Sequence, residues 1–157
     1  MPQIPKRKNS NQFPRTSQLP SQSSKYWAKE KDRLLRQLLI SDIENVTGRE
    51  LAVYYARIDQ PIMPSDSDDL SEVLEGIVGR HIDLLIHTPG GGVDAVEKIV
   101  TVLKKRTDSF RVLVPGWAKS GGTVIAISSS EIVLGINSEM GPIDPQLKIN
   151  GLGMVPA

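Results

Sequence analysis

The feature that most constrains this chain is a regular alternation of apolar runs and helical stretches between residues 82 and 134. The apolar runs have the length of strands, and the stretches between them carry apolar residues at helical spacing. Predicted strands span Ile82–His87, Phe110–Val114 and Glu131–Leu134, and predicted helices span Val93–Lys105 and Gly121–Ser129. Strands that alternate with helices of about ten residues indicate β-α-β crossovers and a mainly parallel sheet. We therefore predict an α/β fold.

The first part of the chain divides into a polar arm and the start of one domain. Residues 1–24 consist mainly of Ser, Gln, Asn, Pro, Lys and Arg, a composition that buries too little apolar surface to offset chain entropy. We predict a disordered arm at 1–24 and a single domain over 25–157. Before the alternating region we predict a helix from Ser24 to about Ile43, a strand at Leu51–Ile58 and a helix at Leu70–Val78.

Charge and composition exclude several classes of function. Nineteen basic and eighteen acidic residues give a formal net charge of +1, which does not favour nucleic acid as a partner. The chain has no cysteine, no secretory signal pattern and no apolar run of about 18 residues, so we expect a cytoplasmic protein without a membrane span in this segment. The acidic cluster at residues 66–69 lacks the glycine and distal glutamate of a calcium loop, so we interpret it as a helix cap and expect no metal.

A glycine-rich turn follows the predicted strand that ends at His87. Residues 88–92 read Thr-Pro-Gly-Gly-Gly and lead into a helix. Consecutive glycines permit positive φ and close approach of a ligand, and the amides at the start of the helix are free to donate. Such a turn can bind an oxyanion, although a tight packing turn has the same composition.

A second strand-to-helix turn carries a serine. Residues 116–123 read Gly-Trp-Ala-Lys-Ser-Gly-Gly-Thr, and small neighbours on the C-terminal side of Ser120 leave its hydroxyl accessible. The alternative is that Ser120 only caps the helix, because serine is a preferred N-cap residue. A phosphate-binding P-loop is excluded because Ala118 stands where that motif needs glycine, and no Gly-x-Ser-x-Gly elbow is present.

The two turns lie about 29 residues apart on successive β-α units, and together they carry a family resemblance. Residues 84–95, 118–126 and 131–146, the last containing Gly-Pro-Ile-Asp-Pro-Gln, resemble the serine dehydrogenase proteinase family of Clp-fold serine peptidases. They are similar, more distantly, to signal peptide peptidase A and the Clp protease proteolytic subunit. The resemblance covers roughly residues 33–157 and implies a Clp/crotonase-like α/β fold that continues beyond Ala157.

The resemblance also implies a mechanism. Ser120 matches the nucleophile of the family, and the amides of Gly91 and Gly121 match its two oxyanion donors. It further implies a protein or peptide substrate, assembly into a homo-oligomer, and no cofactor or metal. The N-terminal helix, with Trp27 and the apolar residues 34–39, is a candidate for that contact, and packing against its own domain is equally compatible.

The sequence departs from the family pattern in one respect, because no residue in it matches the general base of the family. His81 and His87 both precede Ser120, Lys119 is expected to point away from it, and Lys148 falls earlier than the lysine of the family. The base is therefore expected beyond residue 157, which would leave this segment inert by itself. Two alternatives stay open: an inactive scaffold or assembly protein that keeps the fold, and a crotonase-like acyl-CoA enzyme that needs the paired amides but no serine.

Overall fold

The computed structural model describes residues 23–143, 146–149 and 153–156. The chain divides into two compact units, Met1–Thr47 and Gly48–Ala157. The described part of the first unit is the single helix α1, which spans Ser24–Thr47. Its apolar residues alternate with charged ones, as predicted, but the helix runs four residues past the predicted end at Ile43. The side chain of Trp27 and the predicted arm lie outside the described residues, except Ser23 and Ser24.

The second unit is built on a four-stranded parallel sheet with the order β1-β2-β3-β5. The strands are β1 (Leu51–Tyr55), β2 (His81–His87), β3 (Ser109–Val114) and β5 (Glu131–Leu134). The helices are α2 (Asp66–Glu75), α3 (Val93–Arg106) and α4 (Gly121–Ile127). Each helix connects two parallel strands, so the crossovers predicted from the alternating pattern are confirmed.

The hydrophobic core lies between one face of the sheet and the three helices. Alternate residues of β2 and β3 are buried because successive side chains of a strand point to opposite faces. The core contains Ala52, Ile82, Leu84, Ile86, Phe110, Val112 and Val114 from the sheet, and Leu70, Leu74, Val96, Ile99, Leu103 and Ile125 from the helices. This core fixes the carboxyl ends of the strands, where the candidate site lies.

The opposite face of the sheet carries a buried ion pair. Asp83 in β2 is fully buried, and both of its carboxylate oxygens accept hydrogen bonds from the Arg111 guanidinium at 2.8–2.9 Å. The two residues are directly opposite in the strand register. Because a buried carboxylate needs such a partner, this pair fixes the register of β2 against β3.

Strand β1 and helix α2 also differ from the prediction at their boundaries, and α2 ends at Glu75 rather than Val78. Strand β1 ends at Tyr55 rather than Ile58, because Tyr55 is paired with His87 and β2 goes no further. Helix α2 begins at Asp66, so the acidic cluster forms its first turn instead of preceding it. The N-cap residue is Ser65, whose side chain makes no capping bond. The favourable position of the acidic residues near the helix N-terminus was predicted correctly.

Short strands outside the main sheet were not predicted. Strand β4 (Trp117–Ala118) pairs in parallel with β6 (Glu139–Met140), and β7 (Gln146–Ile149) pairs antiparallel with β8 (Gly153–Pro156). The β4-β6 pair matters for the site, because it brings the segment after β5 alongside the turn that contains Ser120.

Candidate active site

The glycine turn at the end of β2 is held by its own threonine and by a neighbouring loop. The buried Thr88 hydroxyl oxygen accepts a hydrogen bond from the Gly90 amide at 3.1 Å. The Gly90 carbonyl accepts the Ile62 amide at 2.7 Å. Gly90 has φ +92°, a conformation that side chains rarely adopt. A Cβ at Gly91 would overlap the backbone of Ile62, so this loop and the turn pack without space for a side chain.

The serine turn has a strained backbone. Ser120 has φ +48° and ψ −118°, and it is the one non-glycine residue with positive φ among the described residues. Such a conformation costs roughly 1–3 kcal/mol and persists only where the surroundings enforce it. The side chain of Ser120 is half-buried and makes no capping hydrogen bond, so the interpretation of Ser120 as only a helix cap is wrong.

The two turns are in direct contact. A Cβ at Gly90 would lie 2.7 Å from Ser120 Cβ and 2.8 Å from the Gly121 nitrogen. A Cβ at Gly121 would lie 3.3 Å from the Gly91 nitrogen. The backbone of Thr88 also bonds to the residues just before Ser120, donating to the Trp117 carbonyl and accepting from the Lys119 amide. The two predicted amide donors therefore lie next to each other and next to the serine.

The two candidate oxyanion amides are unpaired in the part of the chain that the structure describes. Within the described residues, the N–H groups of Gly91 and Gly121 donate to no acceptor. The neighbouring amides of Gly90, Ser120 and Gly122 are bonded to Thr88 Oγ1, the Pro142 carbonyl and the Lys119 carbonyl. Free donors beside a half-buried hydroxyl are the arrangement that stabilises the oxyanion of a tetrahedral intermediate.

The histidines and Lys119 have other partners. His81 lies at the amino end of β2, away from the turns, and its ring bonds to Ser109 at 2.8 Å. The His87 ring stacks on Tyr55 and contacts Trp117, with centroids 4.9 and 4.1 Å apart. Lys119 Nζ donates to Glu139 at 2.7 Å.

The bond from Lys119 holds the pKa of the Glu139 carboxyl below its ordinary value.

Among the described residues, no side chain bonds to Ser120 Oγ. The side chain of Lys148 lies outside them. The expectation of a base beyond residue 157 stays a prediction.

A comparison with protein families identifies the chain. The family of ClpP-like SDH-type serine proteinases matches residues 58–154, which include both turns. The chain belongs to this family. The predicted resemblance and the α/β fold class are thereby confirmed, and a serine peptidase is supported at the level of the family.

Two uncharacterized proteins of Methanocaldococcus jannaschii are similar in sequence. They are 44% and 42% identical to this chain over 84 residues, which is 51% of this chain and 29% of each relative. The matched part thus spans less than a third of the curated relatives. The activity, substrates and partners of the whole protein are therefore matters for proposal.

A solved protease structure has a similar fold. A single-residue mutant of the membrane-bound stomatin-specific protease 1510-N has a TM-score of 0.52 and 24% identity, over 68% of this chain and 53% of that one. A mutant of ClpP1 from Listeria monocytogenes has a TM-score of 0.45 and 26% identity, over 60% of this chain and 51% of that one.

No helix in the described part of the chain is long and apolar enough to cross a membrane.

The sequence interpretation missed the segment that braces the serine turn. The Pro142 carbonyl accepts the Ser120 amide at 3.1 Å, and Thr123 Oγ1 accepts the Gly141 amide at 2.7 Å. The Gly-Pro-Ile-Asp-Pro-Gln motif was the available signal, because it lies in this segment and supported the resemblance. Nothing in its composition indicated contact with Ser120.

Proposed function

We propose that this protein is a serine peptidase in which Ser120 attacks the peptide carbonyl and the amides of Gly91 and Gly121 stabilise the oxyanion. The observation that carries the proposal is the strained backbone of Ser120 beside two unpaired amides. A serine that only capped a helix would adopt an ordinary backbone and use its hydroxyl. Strain that the surrounding turns enforce is typical of residues held for catalysis.

The proposed chemistry has two steps. Ser120 Oγ adds to the substrate carbonyl carbon while a base takes its proton, and the new oxyanion accepts the two N–H groups. The amine leaves with a proton, and water then hydrolyses the acyl-enzyme. Loss of one oxyanion donor typically lowers the rate about 100- to 1,000-fold, so the contact between the two turns is central to catalysis. The base would come from the part of the protein that the described residues do not include.

A fluorophosphonate probe tests the nucleophile, since it reacts with activated serines. We expect covalent labelling of the full-length protein at Ser120, located by mass spectrometry, and no labelling of Ser120→Ala. Ser128→Ala is the matched control, because Ser128 lies at the other end of α4 and its hydroxyl donates to the Val124 carbonyl. This control should be labelled like the wild type.

The alternatives predict other outcomes. A crotonase-like acyl-CoA enzyme would use the paired amides without the serine, so Ser120→Ala would keep thioester turnover. A scaffold would show neither labelling nor turnover. Equal labelling of the wild type and Ser120→Ala would refute the assignment of the nucleophile.

We also propose a protein or peptide substrate and a homo-oligomeric assembly, both supported by membership of a ClpP-like proteinase family. Light scattering on the full-length protein tests the assembly. A mass equal to one chain at micromolar concentration would contradict it.

A further inference from the structure

A buried threonine in α4 makes two hydrogen bonds that leave its helix. Thr123 is 6% exposed. Its hydroxyl donates to the Ala118 carbonyl at 2.7 Å and accepts the Gly141 amide at 2.7 Å. Ala118 begins the serine turn, and Gly141 belongs to the segment after β6. One hydroxyl therefore connects two separate pieces of backbone.

These bonds form part of a closed circuit around Ser120. Gly141 precedes Pro142, whose carbonyl accepts the Ser120 amide at 3.1 Å. The Thr123 hydroxyl bonds to Gly141, the next residue Pro142 bonds to Ser120, and the Ala118 carbonyl two residues before Ser120 bonds back to the Thr123 hydroxyl. Because a residue with unfavourable φ relaxes when its neighbours release it, this circuit has the geometry needed to hold Ser120 in place.

The bonds of Thr123 differ from those of Thr107 and Ser128, which lie at the C-terminal ends of α3 and α4. A threonine or serine inside a helix commonly bonds to the carbonyl four residues earlier. Thr107 does so with Leu103, and Ser128 does so with Val124. Thr123 lies in the first turn of α4, so no carbonyl of its own helix lies four residues earlier. Its hydroxyl donates to the Ala118 carbonyl and accepts a second bond from the distant Gly141 amide. These bonds connect the start of α4 to two segments outside the helix.

We propose that Thr123 is a positioning residue for the nucleophile. Acting through the Gly141–Pro142 segment, it keeps Ser120 strained and the Gly121 amide aimed at the developing oxyanion. This inference rests on the proposed function of Ser120. It adds that labelling and turnover depend on a hydroxyl that touches neither the substrate nor the reacting atoms.

The test compares three variants of the full-length protein. Thr123→Val keeps the shape but removes both bonds, Thr123→Ser keeps the hydroxyl, and Thr107→Val removes a buried threonine hydroxyl far from the site. We expect the rate of fluorophosphonate labelling to fall about 10- to 100-fold in Thr123→Val, since a displacement near 1 Å costs that much. Thr123→Ser should restore most of the rate, and Thr107→Val should label like the wild type.

Amide hydrogen exchange gives a readout that does not need activity. The exchange of the Ser120 and Gly141 amides should accelerate in Thr123→Val and stay unchanged in Thr107→Val. If the wild type is labelled and Thr123→Val labels at the same rate, or if its Ser120 amide stays equally protected, the inference is wrong while the proposed function stands. If the wild type is not labelled, the proposed function fails, and the positioning role fails with it.

Discussion

Substitution of Gly90 by alanine tests whether the two turns are held at a fixed spacing. The new Cβ would lie 2.6 Å from the Lys119 carbonyl oxygen and 2.7 Å from Ser120 Cβ. Favourable contacts between heavy atoms begin near 3.5 Å, so the two turns must move apart by about 1 Å to accommodate the new Cβ. The φ of +92° adds a second penalty, because alanine disfavours that region by about 1–2 kcal/mol.

Two other glycines separate these penalties. Gly48 has φ +72° and open space around its Cβ position. Gly48→Ala should therefore lower the free energy of unfolding only through the unfavourable φ, by about 1–2 kcal/mol. Gly92 has φ −61° and open space, so Gly92→Ala should change the free energy of unfolding by less than about 1 kcal/mol. Gly90→Ala carries both penalties, and overpacking of this kind costs about 1–3 kcal/mol, so we expect a loss of about 2–5 kcal/mol in total.

Urea unfolding measures these losses of stability, provided that the variants share the same m-value. Fluorophosphonate labelling measures the effect on the site. We expect Gly90→Ala to label about 100-fold more slowly than the wild type, because a displacement near 1 Å separates the serine from the Gly91 amide. Gly92→Ala should label normally. If Gly90→Ala is no less stable than Gly48→Ala and labels at the wild-type rate, the turns are not packed as tightly as described.

Two further predictions concern stability. Burial, together with a hydrogen bond to Asp66, raises the pKa of Tyr54 above its ordinary value of 10.0; above about pH 10 the unfolded chain loses this proton and the folded chain keeps it, so stability should fall as pH rises. Tyr54→Phe should reduce this loss of stability in urea unfolding between pH 9 and 11, about one unit on either side of the ordinary tyrosine pKa, whereas the exposed Tyr55→Phe should not.

Ser120→Gly should be more stable than Ser120→Ala by about 1 kcal/mol. Glycine relieves backbone strain of roughly 1–3 kcal/mol in the folded state, and this gain exceeds the stability lost because glycine makes the unfolded chain more flexible. A Ser120→Ala protein that unfolds at higher urea than Ser120→Gly would contradict the strain.

The fold was predictable because hydrophobic periodicity reports local structure directly. The predicted bounds of β2, α3, β3, α4 and β5 lie within one or two residues of the structure, since each apolar run ends at a glycine, proline or polar turn. Strand β1 was extended too far because residues 56–58 contain two apolar side chains. Its true end is set by a partner strand, which no local pattern reveals.

The candidate site was predictable only in part. Gly91, Ser120 and Gly121 were identified from their turns and from the family resemblance, and their catalytic roles stay predictions. The bonds of Thr123 to Gly141, and of Pro142 to Ser120, join residues 18 and 22 positions apart. Such long-range bonds depend on how β6 returns beside β4, and no local sequence pattern predicts that return.

The direct contact of Gly90 with the serine turn has a consequence for how this site can vary. At Gly90 the main chain of one turn packs directly against the Lys119 carbonyl, Ser120 Cβ and the Gly121 nitrogen of the other. Under the proposed function, a substitution outside the two turns would change which peptides bind without changing the spacing of the two amides. On that proposal, peptide selectivity and the stabilisation of the oxyanion would vary independently, and a bulkier residue in place of Gly90 would disturb the second directly.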